Sequence, residues 1–147
     1  MPWGLLILFG GGLSLAAQIS SSGLGIWIGN SLLILSTVPP ILLILAVATL
    51  IIFLTEITSN VTTTTTFLPV FGALAIAIGV LPVSLTVPVC LAASCAFMLP
   101  VATPPNAIVY GSNKFTIATM MRAGFALNIV GILVVTIFAY YFAPLIF

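Results

Sequence analysis

Charged side chains are almost absent from this sequence, and their scarcity limits the folds that the chain can adopt. Only Glu56, Lys114 and Arg122 carry a charge, so 2% of the 147 residues are charged and 63% are hydrophobic. Soluble globular domains have about a quarter of their residues charged. The mean hydropathy of +1.48 also lies far outside that class. The composition predicts an all-α integral membrane protein, because helices satisfy their own backbone groups in lipid.

The same composition excludes several functions. The sequence has no His and a single carboxylate side chain, so one copy cannot assemble a catalytic triad, a carboxylate pair or a transition-metal site. Two cationic residues form no basic patch for nucleic acid. Cys90 and Cys95 lie in an apolar segment at a spacing that suits neither a disulfide nor a metal site, and we interpret them as packing residues. We predict no enzyme, no cofactor and no nucleic-acid partner.

A polar stretch at residues 55–66, enclosed by apolar sequence on both sides, is the most informative local feature. Each unsatisfied polar group in hydrocarbon costs several kcal/mol, so such an interruption normally faces protein or a water-filled cavity. The apolar segments at 41–54 and 67–81 are both shorter than the roughly 20 residues of a spanning helix. They predict a re-entrant hairpin at 41–81 with its tip at 55–66. A spanning helix with a broken middle is the rival geometry.

A second interruption follows at Thr103-Pro104-Pro105. A proline pair removes two backbone donors and forces the preceding residue out of helical geometry, so we expect the helix to end near Thr103. The element at 83–111 is therefore predicted to be a broken helix. Two interrupted helices are the pattern with which secondary transporters build ion and substrate sites, since helix N-termini bind anions and freed carbonyls bind cations.

The remaining segments complete a single membrane domain, residues 1–147. An apolar stretch with a Gly triplet predicts a closely packed helix at 3–17. A short interfacial helix is predicted at 26–37, where Trp27 lies among aliphatic residues. The N-terminus lacks the basic region of a signal peptide, because the first cation is Lys114, and we expect it to be part of the structure.

The last helix is predicted at 117–142. Lys114 and Arg122 lie near its start, and no cation follows them. By the positive-inside rule this distribution predicts a cytoplasmic turn before the helix and an extracytoplasmic C-terminus. The expected location is the cytoplasmic membrane, which the chain crosses more than once, with membrane lipid as its surroundings.

The two polar blocks resemble a known transporter family. Residues 55–61, Thr-Glu-Ile-Thr-Ser-Asn-Val, and residues 93–107, Ala-Ser-Cys-Ala-Phe-Met-Leu-Pro-Val-Ala-Thr-Pro-Pro-Asn-Ala, look like the second half of the divalent anion:sodium symporter family. That family includes the INDY-type dicarboxylate and citrate transporters, and the likeness extends over essentially the whole chain. Its members have two inverted repeats, each with a re-entrant hairpin and a broken helix, and a Ser-Asn-Thr motif on each hairpin tip. The resemblance implies that this chain is a partial second repeat.

The resemblance also implies the roles of individual residues. Ser59 and Asn60 would contact a substrate carboxylate, and Thr103 would contribute from the broken helix. The residues implied around the coupling ion, sodium, largely through their backbone carbonyls, are Thr55, Thr58, Asn60 and Ala102. Val61 occupies the substrate-binding position where the family motif has Thr. Losing one hydrogen bond to a charged group costs about 1.5–3 kcal/mol, so we expect weaker or altered substrate binding.

The implied function is sodium-coupled transport of small di- or tricarboxylate-like, or sulfate-like, anions. The first repeat, with its own tip and sodium site, has no counterpart in this sequence. We therefore expect a truncated or split chain whose missing N-terminal repeat is supplied by a separate chain or by another region of the same gene. Family transporters are typically dimers, so a homodimer is expected as well. The alternative is a non-transporting membrane fragment or a small helical assembly module.

Four further polar features have structural interpretations. Glu56 is predicted to bond helix N–H groups or a neighbouring hydroxyl rather than to act as a ligand. The Thr run at 62–66 is predicted to serve helix packing, because Thr hydroxyls can bond back to the preceding turn. Asn106 and Asn128 are assigned no role beyond the interhelical hydrogen bonds that Asn often makes in membrane helices.

Overall fold

The computed structural model of the protein describes residues 38–112, 114 and 116–146, and the isolated positions 7, 10, 11, 14, 17, 18 and 21–23. The helix predicted at 3–17 lies mostly outside the described residues, and the interfacial helix predicted at 26–37 lies entirely outside them. All regular secondary structure in the described part of the chain is helical. This finding confirms the all-α class.

Six helices follow one another in the described ranges. They are α1 (Pro40–Thr55), α2 (Asn60–Ala77), α3 (Val83–Ala93), α4 (Pro104–Gly111), α5 (Ile117–Tyr141) and α6 (Ala143–Ile146). Of these, α2 and α5 are long and apolar enough to cross a bilayer, whereas α1 and α3 are shorter apolar helices. The described residues thus contain two candidate membrane spans.

The turn between α1 and α2 is short, and it corrects the predicted bounds of the hairpin tip. Only residues 56–59 are non-helical, so the second helix begins at Asn60 rather than at residue 67. The Thr run adopts helical geometry because it can satisfy its own hydroxyls there. Thr63, Thr64 and Thr65 each donate to the carbonyl oxygen four residues earlier, at 3.1, 2.8 and 2.8 Å. Such back-bonding leaves these hydroxyls without a need for water.

The chain reverses between α2 and α3 at a glycine. Gly79 has a φ of +77°, a conformation that residues with a Cβ rarely adopt. The N–H of Val80 donates to the carbonyl of Ala75 at 3.0 Å, and the N–H of Gly79 donates to the carbonyl of Ile76 at 3.2 Å. This pair of bonds is the Schellman motif, which satisfies the last carbonyls of a helix. It ends α2 and directs α3 back along it.

The apolar core lies where α1, α2, α3 and α5 meet. Ile51 and Ile52 of α1 and Val89 of α3 have no exposed surface. Small side chains allow the helices to approach closely, as is usual in membrane proteins. The alanines without exposed surface are Ala48, Ala75, Ala92, Ala93, Ala139 and Ala143. α2 packs mainly against α3, and α1 packs about equally against α3 and α5, so α3 packs against both arms of the hairpin.

The first half of the broken helix, α3, ends at Ala93, well before the Thr103 expected from the proline pair. Residues 94–103 are non-helical, and α4 begins at Pro104 with Thr103 as its N-cap. Proline is favoured at the first position of a helix, because the N–H there has no partner within the helix. The proline pair therefore starts α4 and does not end α3. None of the residues of α4 is buried.

Candidate functional site

Thr55, the last residue of α1, lies between two acceptor atoms in the protein interior. It has no exposed surface. Its Oγ1 is 2.9 Å from Asn60 Oδ1 and 2.9 Å from the carbonyl oxygen of Ala93. A hydroxyl has a single proton and can donate fully to only one of them. Three oxygen atoms, one each from α1, α2 and α3, therefore converge with one proton among them.

Two further predicted sodium ligands, the carbonyls of Thr58 and Ala102, are unused. Neither oxygen accepts a backbone hydrogen bond within the described ranges. The hydroxyl of Thr58 is engaged elsewhere, since it donates to the carbonyl of Leu54 at 3.0 Å and lies 2.5 Å from the hydroxyl of Thr63. Thr58 thus has its carbonyl, and not its side chain, free to bind an ion. Ala102 is buried.

The N-terminus of α2 presents donors without partners. Ser59 is the N-cap, with extended backbone at φ −74° and ψ 141°, yet its side chain makes no capping hydrogen bond. The N–H groups of Asn60, Val61 and Thr62 precede the first bonded donor of the helix, that of Thr63, and have no partner among the described residues. The helix dipole adds positive potential at the same place. Free N–H groups at such an end form an anion-binding site.

The N-terminus of α4 differs, because prolines occupy its first two positions. Pro104 and Pro105 have no N–H, and the N–H of Asn106 lies 3.4 Å from Thr103 Oγ1. The next donor, of Ala107, bonds the carbonyl of Thr103 at 3.2 Å. The first turn of α4 therefore has no backbone donor to spare. What it retains is the hydroxyl proton of Thr103, whose oxygen accepts the capping bond.

Glu56 joins the hairpin turn to the non-helical segment 94–103. Its side chain is 3% exposed. The carboxylate accepts hydrogen bonds from the backbone N–H groups of residues 97–99 at 2.8–3.1 Å. Its Oε1 also accepts from Asn128 Nδ2 at 2.7 Å. Successive N–H groups of this kind form an anion-binding concavity, here filled by the protein's own carboxylate. Glu56 thus bonds backbone N–H groups as expected, but those of the segment between helices.

Asn106 holds the other side of the same segment. Its Nδ2 donates to the carbonyl oxygens of Ala96 and Leu99 at 2.9 and 3.1 Å. The N–H groups of residues 97–99 are therefore paired with Glu56, and two of the segment's carbonyls are paired with Asn106. Non-helical backbone at membrane depth needs such partners, because lipid supplies none. The pairing explains how the chain can unwind between α3 and α4.

The residues implied in binding fall into two groups that Glu56 connects. The hairpin carries Thr55, Thr58, Ser59, Asn60 and Val61, and the segment 94–103 carries Ala102 and Thr103. Within the first group, Thr55 and Asn60 are in direct contact, while Ser59 and Val61 are exposed. No side-chain hydrogen bond in the described ranges joins Ser59 or Asn60 to Thr103. The two groups are held together through Glu56 and residues 97–99.

Sequence reasoning missed three contributors to this arrangement. Ala93 takes part through its carbonyl, which every residue type has, so no sequence signal could reveal it. Asn128 was recognised as polar, but its partner Glu56 lies 72 residues away in sequence. Gly124 lies where a Cβ would come within 2.3 Å of the carbonyl oxygen of Phe97. The signal available for both residues was their spacing of four on one helix, which places them on the same face.

Comparison with known proteins gives a match along the entire chain. The family described as the sodium:sulfate symporter transmembrane region matches residues 1–147. The chain belongs to this family. The resemblance of residues 55–61 and 93–107 to such symporters is thereby confirmed. Proteins of the sodium:sulfate symporter family are membrane transporters and not enzymes, in agreement with the two candidate spans in the described ranges.

Several relatives of this chain are dicarboxylate transporters by name. The sodium-dependent dicarboxylate transporter SdcS of Staphylococcus saprophyticus is 48% identical over 144 residues, which are 98% of this chain and 28% of the relative. SdcS of Staphylococcus aureus strain MRSA252 is 47% identical over 146 residues, which are 99% of this chain and 28% of the relative. The chain therefore spans less than a third of the length of these curated relatives.

Proposed function

We propose that this chain is the second-repeat part of a sodium-coupled transporter for small di- or tricarboxylate-like, or sulfate-like, anions in the cytoplasmic membrane. The observation that carries the proposal is the N-terminus of α2, where unpartnered donors lie beside the oxygen cluster at Thr55. Anion donors and cation acceptors side by side suit coupled binding, because a sodium ion offsets the charge of the anion. The names of the SdcS relatives support both ions.

The substrate carboxylate is assigned to the donors at the start of α2. These are the hydroxyl of Ser59 and the backbone N–H groups of Asn60 and Val61. The side chain of Asn60 is turned toward Thr55, so its backbone rather than its amide serves the anion. Thr103 adds its hydroxyl proton from the α4 side. A carboxylate can accept about four hydrogen bonds, so this set leaves room for donors from elsewhere.

The sodium ion is assigned to the cluster of oxygen atoms around Thr55. Hard cations prefer oxygen ligands. The candidate ligand atoms are Thr55 Oγ1, Asn60 Oδ1 and the carbonyl oxygens of Thr58 and Ala102. Thr55 can donate its proton to the carbonyl of Ala93 and direct its lone pairs to the ion. Such an ion would also relieve the crowding of three oxygens around one proton.

The proposed architecture is a partial second inverted repeat, with α1 and α2 as a re-entrant hairpin and α3 and α4 as the halves of a broken helix. α1 has 16 residues, or about 24 Å, and does not reach across a hydrocarbon core of about 30 Å. The missing repeat would come from a separate polypeptide or another region of the same gene, and two copies of the completed transporter would form a dimer. The exposed cations Lys114 and Arg122 support a cytoplasmic position for the start of α5.

The test is uptake into proteoliposomes. The chain is reconstituted alone and together with the part of Staphylococcus saprophyticus SdcS that it does not match, and uptake of labelled succinate, citrate and sulfate is measured with and without a sodium gradient. We expect sodium-dependent uptake of at least one anion by the combined sample. Ser59→Ala should reduce the apparent affinity for that anion. Ser84→Ala is the matched control, because Ser84 lies in the first turn of α3, far from Ala93 at its other end.

The short span of the chain favours a second candidate, a non-transporting membrane fragment or assembly module. It predicts that the helices insert and fold but that no anion enters the vesicles in either sample. Absence of uptake of all three anions by the combined sample, with both polypeptides present in the membrane, would reject the transporter proposal in favour of this one.

A further inference from the structure

Asn128 is a buried amide on the packed face of α5, which is otherwise apolar except for Thr136. It has no exposed surface. Its Nδ2 donates to Glu56 Oε1 at 2.7 Å, and its Oδ1 has no partner among the described residues. The neighbours on the same face one and two turns further along α5 are the buried Ile132 and Thr136. The bond to Glu56 is therefore the only polar contact of this side chain in the described ranges.

Gly124, one turn before Asn128, lets α5 touch the non-helical segment directly. A Cβ at this position would lie 2.3 Å from the carbonyl oxygen of Phe97 and 2.5 Å from the Cα of Met98. Contacts under about 3 Å between a Cβ and backbone atoms are too short to tolerate without movement. The glycine thus brings the backbone of α5 against residues 97–98, and Asn128 bonds the carboxylate that holds the same residues.

We infer that Gly124 and Asn128 are positioning residues for the binding site. They fix Glu56 and residues 97–99 against α5, and the segment continues from there to Ala102 and Thr103. The distance between Ala102 and Thr103 on one side and the hairpin turn on the other is therefore set by α5, which carries none of the proposed ligand atoms. This inference rests on the proposed function and adds to it the helix that holds the two halves of the site in register.

Packing alone does not account for Asn128. A leucine would fill an apolar helix contact without burying an amide whose oxygen lacks a partner, which is costly in a medium of low polarity. The hydrogen bond from Asn128 to Glu56 accounts for the amide at this position, because that bond helps to orient the carboxylate. Glu56 then presents its two oxygens to the three N–H groups of residues 97–99. Removing the amide takes away the one side-chain hydrogen bond that ties the carboxylate to α5.

The first test compares Asn128→Ala with Thr136→Val in vesicles that contain the chain together with the part of Staphylococcus saprophyticus SdcS that it does not match. We expect the sodium concentration for half-maximal uptake to rise about tenfold in Asn128→Ala, as for loss of a hydrogen bond to a charged group. The maximal rate at saturating sodium should change much less. Thr136→Val is the control, because Thr136 is also buried on α5 and its hydroxyl also lacks a partner. Sodium dependence equal to that of the wild type in Asn128→Ala would overturn the inference.

A reciprocal exchange tests whether the two side chains act on each other. Asn128→Asp alone places a second carboxylate against Glu56, and we expect it to weaken sodium dependence strongly. Adding Glu56→Gln removes the repulsion between the two carboxylates and lets the new amide donate to residue 128, at the expense of bonds from residues 97–99. The double variant should recover about fivefold or more of the affinity lost by Asn128→Asp, because contacting residues have non-additive effects. Additive losses would contradict a direct positioning role, and this holds even if Asn128→Ala does not fold.

Amide hydrogen exchange measures how firmly residues 97–99 are held, and it does not depend on transport. In the full chain in lipid nanodiscs, the N–H groups of residues 97–99 should exchange slowly although they lie outside a helix. Asn128→Ala and Gly124→Ala should speed their exchange about tenfold, and Thr136→Val should not. If the wild type does not transport but these shifts occur, the proposed function fails and the positioning role stands. Unchanged exchange in both variants would refute the positioning role alone.

Discussion

Replacing Glu56 by Gln tests the contact on which the site depends. The substitution keeps the size of the side chain, removes its charge and turns one acceptor oxygen into a donor. At the Oε2 position the new NH₂ group would face the N–H of Leu99, now 3.1 Å from the carboxylate. Oε1 would keep its bonds to Phe97, Met98 and Asn128, but as a neutral acceptor.

The expected cost follows from these bonds. A buried N–H left without a partner costs about 1–3 kcal/mol. Charge-assisted hydrogen bonds are roughly twice as strong as neutral ones, so the three that remain each lose about half their strength. Part of this loss is offset, because burying a neutral amide costs less desolvation free energy than burying a carboxylate. The net decrease in the free energy of unfolding should be about 2–4 kcal/mol.

Thermal unfolding of the purified chain in detergent, followed by circular dichroism at 222 nm, measures this change. For a chain of this length the decrease corresponds to a Tm lower by about 5–15 °C. Thr49→Val is the matched control on α1, because its hydroxyl bonds only the carbonyl of Leu45 within the same helix. A Glu56→Gln variant with the Tm of the wild type, or a higher one, would refute the assignment of Glu56 as the link between the hairpin and residues 97–99.

Three further substitutions have defined outcomes. Gly124→Ala should lower the free energy of unfolding by about 1–3 kcal/mol in the same assay, because α5 and residues 97–98 must separate by about 1 Å; an unchanged Tm would contradict the close approach. Gly79→Ala should cost about 1–2 kcal/mol from its positive φ alone, since nothing lies within 4 Å of the added Cβ; a more stable variant would contradict that conformation. Val61→Thr should strengthen dicarboxylate binding by about tenfold in uptake assays, and equal affinity would show that residue 61 does not face the ligand.

Much of the fold could be predicted from the sequence because few backbone structures are stable in lipid. Long apolar runs in a bilayer favour helices, which satisfy their own backbone groups, and the last apolar run at 117–142 differs from α5 by a single residue. Helix ends were less predictable where two principles competed. The polarity of the Thr run predicts a non-helical tip, but back-bonding makes the run helical. A proline pair can end a helix, but here its geometry suits the start of one.

The part of the candidate site that consists of side chains was predictable from the sequence. Ser59 and Asn60 stood out as polar residues between apolar helices, and their motif led to the family. The bonds that shape the site are mostly to backbone atoms, such as the carbonyl of Ala93 and the N–H groups of residues 97–99, and these have no signature in the sequence. The partnership of Glu56 with Asn128 also depends on how α5 packs, which periodicity does not specify.

The single carboxylate side chain, Glu56, also constrains the order in which the helices can be buried in the membrane during synthesis. Its first donors lie 41–43 residues downstream, and the amide of Asn128 lies 72 residues downstream. At a synthesis rate of about 5–20 residues per second, roughly 4 to 14 s separate Glu56 from its last partner. Until residues 97–99 are made, the turn between α1 and α2 has to remain near water, since hydrocarbon would offer the charge no donor. The turn can therefore be fully buried only after that segment has been synthesised, and α5 adds the last hydrogen bond later.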